Sequence, residues 1–351
     1  MFVDTWKISG EGFHFGQHGL GQEETAVTLS SDSLFAALLA RLAARQGKEA
    51  VEGFTVPFLG ESPPFVLTST FPFAGGVLFF PAPEKKYGAE EGESIHAKDL
   101  KKVKFISEGV FRKVLAGSSL NSLYTQAKKL QGKQVLLLTS ESEKLPKGFA
   151  ENNRPIWSVE QRPRVTLGRT VQTSSIYFTG RVAFAKDCGL WFGVRWLKED
   201  PELKAALASL LDDLSEAGLG AERSTGFGKC WIKAGERLEL PEVEPGQDAT
   251  WISLSRYLPR VDEMAALQHP GAAYTNRNGG GWVDSPSRRG QRRRAVNLLA
   301  EGAILGKVGR VVPGQVVDIR PKYEQDPDPL GHAVYRCGLA FAVGMKGGQE
   351  T

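Results

Sequence analysis

Residues 218–229 read GLGAERSTGFGK. Gly218, Gly220, Gly226 and Gly228 free the backbone for positive φ and for close approach to another chain. Between them Glu222, Arg223, Ser224 and Thr225 place a cation and two hydroxyls on a tight turn, and Lys229 closes the stretch. Amides, small hydroxyl donors and a guanidinium fork are the groups that hold a phosphodiester. The plainer reading is a glycine-capped passage from helix to strand, and the flanks require at least that. Upstream, Asp200-Pro201 opens a helix with proline in its first turn, and Leu203, Leu207, Leu210, Leu211 and Leu214 supply its buried face. Downstream, residues 230–232 form an apolar strand.

Outward from that stretch the same strand–helix grammar returns. Phe2, Val3, Trp6 and Ile8 mark a half-buried first strand. A glycine-punctuated loop, 10–21, carries Phe13, His14, Phe15 and His18. Ser30 or Ser31 then caps a helix whose Leu34, Leu38, Leu39 and Leu42 share one face, with Arg41 and Arg45 near its C-terminal end and Gly47 as its stop. Apolar runs follow at 65–70 and 77–80. From 81 to 181 the pattern loosens: a charged excursion at 88–104, one or two short helices within 110–130, a strand at 135–138, and an arginine-bearing stretch from 151 to 181 without clear period. A Trp- and Phe-rich strand at 189–197 precedes the Pro201 helix. Strand–helix at the start and strand–helix–strand around residue 230 predict an α+β fold of the split βαβ, ferredoxin-like (RRM-like) kind with a long insertion around 81–181.

Pro241 and Pro245 place a boundary at 236–247, giving an N-terminal domain, 1–240, and a C-terminal domain, 241–351. The second half reads as strands at 249–255, 295–305, 315–319 and 333–343, with a short helix at 262–267 and a loop at 275–290.

The glycine-rich stretch, with GLGQEET at 19–25 and SSDSLFAALLARL at 30–42, resembles the RAMP superfamily of CRISPR effector proteins. With GHAVYRCGLAFAVG at 331–344 the resemblance runs from end to end and narrows to the family of the fourth subunit of type III-A Csm effectors. It implies a second, degenerate and strand-rich ferredoxin-like domain. It also implies a non-catalytic RNA-binding subunit that holds the 5′ tag of the CRISPR RNA (crRNA), and that docks the large polymerase-like subunit and the RAMP backbone subunit. The equivalent subunit of the Cmr complex is the alternative within the superfamily. A metal-independent endoribonuclease maturing precursor crRNA is the alternative from another class.

Composition is compatible with that role. A chain of 351 residues with 41% hydrophobic content suits two domains with real cores. Net charge is only +4, so a nucleic-acid surface must come from clustering. Cys188, Cys230 and Cys337 are too widely spaced for a disulfide framework or a metal knuckle. No stretch approaches the ~20 apolar residues of a membrane span, and no signal segment opens the chain. A cytoplasmic protein without membrane contact, metal or cofactor is expected.

The clusters follow. Arg288, Arg289, Arg292, Arg293 and Arg294 lie within SPSRRGQRRR, either a solvated segment or a set of phosphate contacts that release counterions. Tyr274, Asn276, Arg277 and Trp282 nearby are either base-stacking groups or core. Arg162, Arg164 and Arg169 sit in QRPRVTLGRT, where Pro163 and Gly168 call for a loop or hairpin, and the family uses such projections against guide RNA and neighbouring subunits. His14 and His18 are four apart, but Gly12, Gly16 and Gly19 oppose a helical metal site, and both histidines are expected at RNA instead. Phe13, His14 and Phe15 are expected either to meet RNA bases or a partner, or to form a buried edge. His14 with Lys229 is the one pair that would imitate an acid–base couple. Asp326 and Asp328 read as a turn more readily than as a Mg²⁺ site.

Overall fold

β1 (Phe2–Gly10) is the hub of a ten-stranded sheet. The structure is a computed structural model that describes residues 1–16, 23–84, 97–152, 154–167, 174–244, 249–283 and 290–346. His18, Arg169, Arg288, Arg289 and most of the charged excursion therefore lie outside the described residues.

After β1 comes α1 (Ser31–Leu59), then β2 (Phe65–Leu67), β3 (Phe71–Ala74) and β4 (Val77–Pro81). Leu34, Phe35, Leu38, Leu39 and Leu42 bury one face of α1. Gly47, at φ 81°, interrupts the helix as expected of a stop, but the chain kinks there and coils on to Leu59. The continuation has its own apolar face: the Phe54 and Phe58 rings lie 5.5 Å apart, and Phe58 meets Phe65 of β2 at 4.9 Å.

The expected loose insertion is ordered over most of its length. α2 (Ala97–Leu100), β5 (Phe105–Ser107), α3 (Glu108–Leu115), α4 (Leu120–Gln126), β6 (Lys128–Leu130) and β7 (Val135–Leu137) extend the sheet beyond β4, and Phe80 stacks on Phe111 of α3 at 4.4 Å. Strands of three buried residues carry no alternation, so periodicity cannot show them. After α5 (Phe149–Asn152), β8 (Trp157–Leu167) and β9 (Ser174–Phe184) form a hairpin paired from Trp157↔Phe184 to Leu167↔Ser174. Pro163 is tolerated there because a two-stranded ribbon has open edges.

β10 (Cys188–Trp196), α6 (Pro201–Ala217), β11 (Cys230–Ala234) and β12 (Leu238–Glu239) complete this half. The sheet runs β11-β1-β10-β3-β4-β5-β7-β6, with β12 on β1 and β2 on β10. Its pairs are antiparallel except β5 with β7. The Cys230 thiol lies 3.9 Å from the Leu214 carbonyl, which places α6 over the face carrying Cys230, Ile232 and Ile8. Asp213 of α6 binds Arg41 of α1 at 2.6 Å, joining the two helices.

In the second half β13 (Thr250–Ser253) is central to a three-stranded sheet. A 3₁₀ helix (Val261–Gln268), β14 (Asn276–Asn278), β15 (Trp282–Val283), β16 (Gln291–Arg292), β17 (Asn297–Leu299), β18 (Ile304–Gly306), β19 (Val316–Asp318), β20 (Tyr335–Cys337) and β21 (Ala342–Met345) follow. The three-stranded sheet is β18-β13-β21; β14–β17, β15–β16 and β19–β20 are two-stranded. The strand expected across 295–305 divides at the Ala300–Ala303 bend, and the helix expected at 262–267 is a 3₁₀ turn. Among the described residues this half holds no α-helix.

The halves share an apolar core: Ile252, Leu254, Phe341 and Val343 belong to the same cluster as Leu34 and Phe35. A buried ion pair, Asp32 with Arg336, ties α1 to β20. The Glu263 carboxylate, also buried, accepts from Tyr257 Oη at 3.0 Å and from the amides of Arg260 and Gly314 at 2.8 and 3.0 Å.

Candidate nucleic-acid interface

The Asp200 carboxylate accepts from the Leu203 amide at 3.0 Å and starts α6, and the Gly218 amide closes it on the Leu214 carbonyl. The glycine loop is then pinned to itself and to the segment after β1. Leu219 N–H donates to Gly228 O at 2.8 Å, Ala221 N–H to His14 O at 2.9 Å and Gly228 N–H to Gly12 O at 2.8 Å. The Thr225 and Phe227 amides both donate to the Glu222 carbonyl, and Gly226 N–H to Arg223 O. Thr225 Oγ1 donates to the Glu222 carboxylate at 2.9 Å. The loop amides expected to receive phosphate are thus committed at Leu219, Ala221 and Thr225 through Gly228. What faces solvent is the tip: Arg223, Ser224, Thr225 and Gly226 are exposed, and so is Lys229.

The glycines divide by role. A Cβ on Gly220, at φ 95°, would lie 2.6 Å from the His14 carbonyl oxygen, so this glycine permits the chain's own packing. Gly226, at φ 94°, has nothing within 4 Å of its Cβ position and opens outward.

The hairpin and this loop meet. Arg164 of β8 donates from Nη2 to the Thr225 carbonyl at 3.0 Å and lays its guanidinium 5.0 Å from the Phe227 ring centroid. Arg162 pairs with Glu160 at 2.7 Å. Both arginines expected to meet RNA therefore have partners within the chain, and Arg164 braces the loop.

His14 is 4% exposed, with Nδ1 2.7 Å from the Gly180 carbonyl, and Phe13 and Phe15 are buried and stacked at 5.3 Å. The expectation that they meet bases or a partner gives way to the buried-edge reading, because β9 closes over them through the Phe13–Val182 bridge. Lys229 is not turned toward His14: its Nζ lies 5.7 Å from the Trp231 ring centroid. The acid–base couple is therefore not assembled here.

The arginine run sits in the other half. Arg292 is exposed on β16, opposite Trp282. Arg293 donates from Nε and Nη2 to the Gly280 carbonyl at 3.1 and 2.7 Å. Burial, helped by the Arg336 guanidinium, pushes its pKa down to about 10. Arg294 donates to the carbonyls of Arg320 and Asp318. Of the three, Arg293 and Arg294 brace backbone, and Arg292 and Arg294 are exposed. Asp328 pairs with Arg320 at 3.0 Å. Among the described residues no cluster of three metal-ligating side chains occurs, and no helix is long and apolar enough to cross a membrane.

Reading 230–232 as an apolar strand passed over Trp231, Lys233 and Lys7. Alternation was the missed signal: Cys230 and Ile232 turn inward, so Lys229, Trp231 and Lys233 share the outer face.

Residues 246–345 match the family model described as the CRISPR Csm4 C-terminal domain. A curated relative from Thermococcus onnurineus strain NA1, "CRISPR system Cms protein Csm4", is 25% identical over 317 residues, 90% of this chain and 91% of the relative. Residues 246–345 thus carry a Csm4 C-terminal domain signature, and the chain is similar to a Csm4 protein over most of its length. The Csm4-type fold extends over both halves. A chain of the Csm3–Csm4 subcomplex from a type III-A CRISPR-Cas interference complex superposes with a TM-score of 0.63 at 17% identity, covering 97% of this chain and 98% of that one. A chain of the Csm1–Csm4 cassette in complex with cA4 gives 0.54 at 18% identity, over 99% and 100%. At these identities the likeness to the two Csm4-containing structures is one of fold.

Proposed function

We propose that this chain is a Csm4 protein: a non-catalytic, RNA-binding structural subunit of a type III-A CRISPR effector, which holds the 5′ tag of the crRNA in the cytoplasm. The observation that carries the reading is the exposed Arg223-Ser224-Thr225-Gly226 tip on a loop whose amides at Leu219, Ala221 and Thr225 through Gly228 are locked. A braced loop presents the Arg223 guanidinium and the Ser224 hydroxyl with little backbone ordering left to do at binding. The β1–α1–β2/β3 and β10–α6–β11 units around one antiparallel sheet support the ferredoxin-like description of the first half. The matched Csm3–Csm4 and Csm1–Csm4 structures support docking of a backbone subunit and of the large subunit. The hairpin offers a surface for such docking: Val159, Val165, Ile176 and Phe178 are exposed on one side, while Arg164 engages the loop on the other.

Arg223 tests this. A charge-assisted contact contributes about 1.5–3 kcal/mol, so Arg223→Ala should weaken tag-RNA affinity roughly tenfold or more. It should also flatten the log–log salt slope by about 0.7. Arg223→Lys should recover only part, since lysine keeps the charge and loses the fork. Unchanged affinity and slope in folded Arg223→Ala would remove the tip from the binding site. Metal-free cleavage of repeat RNA by the purified chain would overturn the non-catalytic reading.

A further inference from the structure

β11 leaves one face of the sheet open beside the glycine loop. The pairs Thr5↔Gly193 and Lys7↔Trp191 on one side of β1, and Lys7↔Lys233 and Ser9↔Trp231 on the other, put Thr5, Lys7, Ser9, Trp231 and Lys233 on the side opposite α6. Lys229 joins them by alternation along the strand. Toward β10 this face is walled off, because Phe71 and Phe80 pack on Trp191 at 5.8 and 5.0 Å. Toward β11 it is open, and Trp231 is 47% exposed there. Lys7 is held at the back of the ledge, its Nζ 4.8 Å from the Phe73 centroid and 3.2 Å from the Gly75 carbonyl. Lys229 and Lys233 are exposed at the strand positions on either side of Trp231, with Lys229 Nζ over one face of the indole, 5.7 Å from its centroid, leaving the other face for a base.

The chemistry selects the occupant. An exposed indole accepts any nucleobase face, and base–aromatic stacking is insensitive to sequence. Lysines are depleted at the centres of protein–protein interfaces, whereas here Lys229 and Lys233 flank the aromatic along the strand and no carboxylate stands among these positions. We propose that Trp231 is a stacking platform for one unpaired base of single-stranded RNA, with Lys229 and Lys233 meeting the flanking phosphates. This inference rests on the RNA-binding reading above. It extends the site from the Arg223 tip, through Lys229, onto the sheet.

The test uses the full chain with a short single-stranded RNA of mixed sequence, and with versions of that RNA each lacking a single base. Trp231→Ala should weaken the intact RNA roughly five- to hundredfold, and Trp231→Phe should retain most of the affinity. Removing the stacked base should weaken wild type by a similar factor and leave Trp231→Ala unaffected. Trp231→Leu keeps apolar bulk without an aromatic face, so it should behave as Ala does; it also serves if the alanine variant melts early. Wild-type affinity in folded Trp231→Leu, with every base-deleted RNA discriminated as before, would overturn the platform and leave the Arg223 reading intact. Unchanged RNA affinity with lost association to a backbone or large effector subunit would make the surface a protein interface and overturn it too. Failure of the wild-type chain to bind RNA would overturn the RNA-binding reading and the platform with it.

Discussion

At Gly220 and Gly226 the same residue type answers two different demands. Gly220 lies against the His14 carbonyl, so Gly220→Ala forces backbone apart in addition to straining a positive φ. It should cost more than about 2 kcal/mol. Gly226→Ala meets open space and incurs only the left-handed strain, about 1 kcal/mol. Thermal unfolding of the two variants checks this, and equal losses would contradict the division of roles. The sequence showed four glycines and a need for turns, which is correct: all four have positive φ. Which of them face the chain's own backbone depends on the loop's contacts with His14 and Gly12, far away in sequence. For the same reason the sequence left His14 open between base contact and a buried edge; it lies buried under β9.

Among the elements, α1 and α6 are joined by Asp213, whose carboxylate receives Arg41 Nε at 2.6 Å, with Arg45 at 3.7 Å. The hydrogen bond from Arg41 holds the Asp213 pKa below the ordinary carboxylate value, against the opposing effect of burial. A folded pKa below the unfolded one stabilises above the ordinary carboxylate range, and that contribution is lost as pH falls through the folded pKa. Wild type should therefore lose stability from about pH 4 downward. Asp213→Asn should melt lower at neutral pH and show a shallower acid decline; identical acid profiles would rule out the coupling. The leucine faces of both helices were legible because period 3.6 survives in long elements. The Asp213 link was not, since a lone acidic residue within a helix reads as solvated. The β8–β9 hairpin was half legible: Pro163 and Gly168 required a hairpin or loop, yet exposure on both faces of the ribbon erased the alternation that marks a strand.

Across the whole molecule, one core runs from α1 to β13 and β21, and the Asp32–Arg336 pair crosses between the halves. The second half's short strands gave little periodic signal; its likeness to the Csm4 family came through resemblance, and the Csm4 C-terminal model matches over 246–345. The arginine run drew attention by density alone. Placed on the structure, Arg293 and Arg294 support backbone turns, while Arg292 and Arg294 are exposed. The surface proposed for RNA centres on the first half: the Arg223 tip, Lys229 and the Trp231 ledge. The most direct measurement is ultraviolet crosslinking of the purified chain to crRNA carrying a photoreactive base in its 5′ tag, followed by mass-spectrometric identification of the attached peptides. The proposed clamp predicts crosslinks within residues 218–233, lost on competition with unlabelled tag RNA. Specific crosslinks confined to the second half, with none in 218–233, would contradict it.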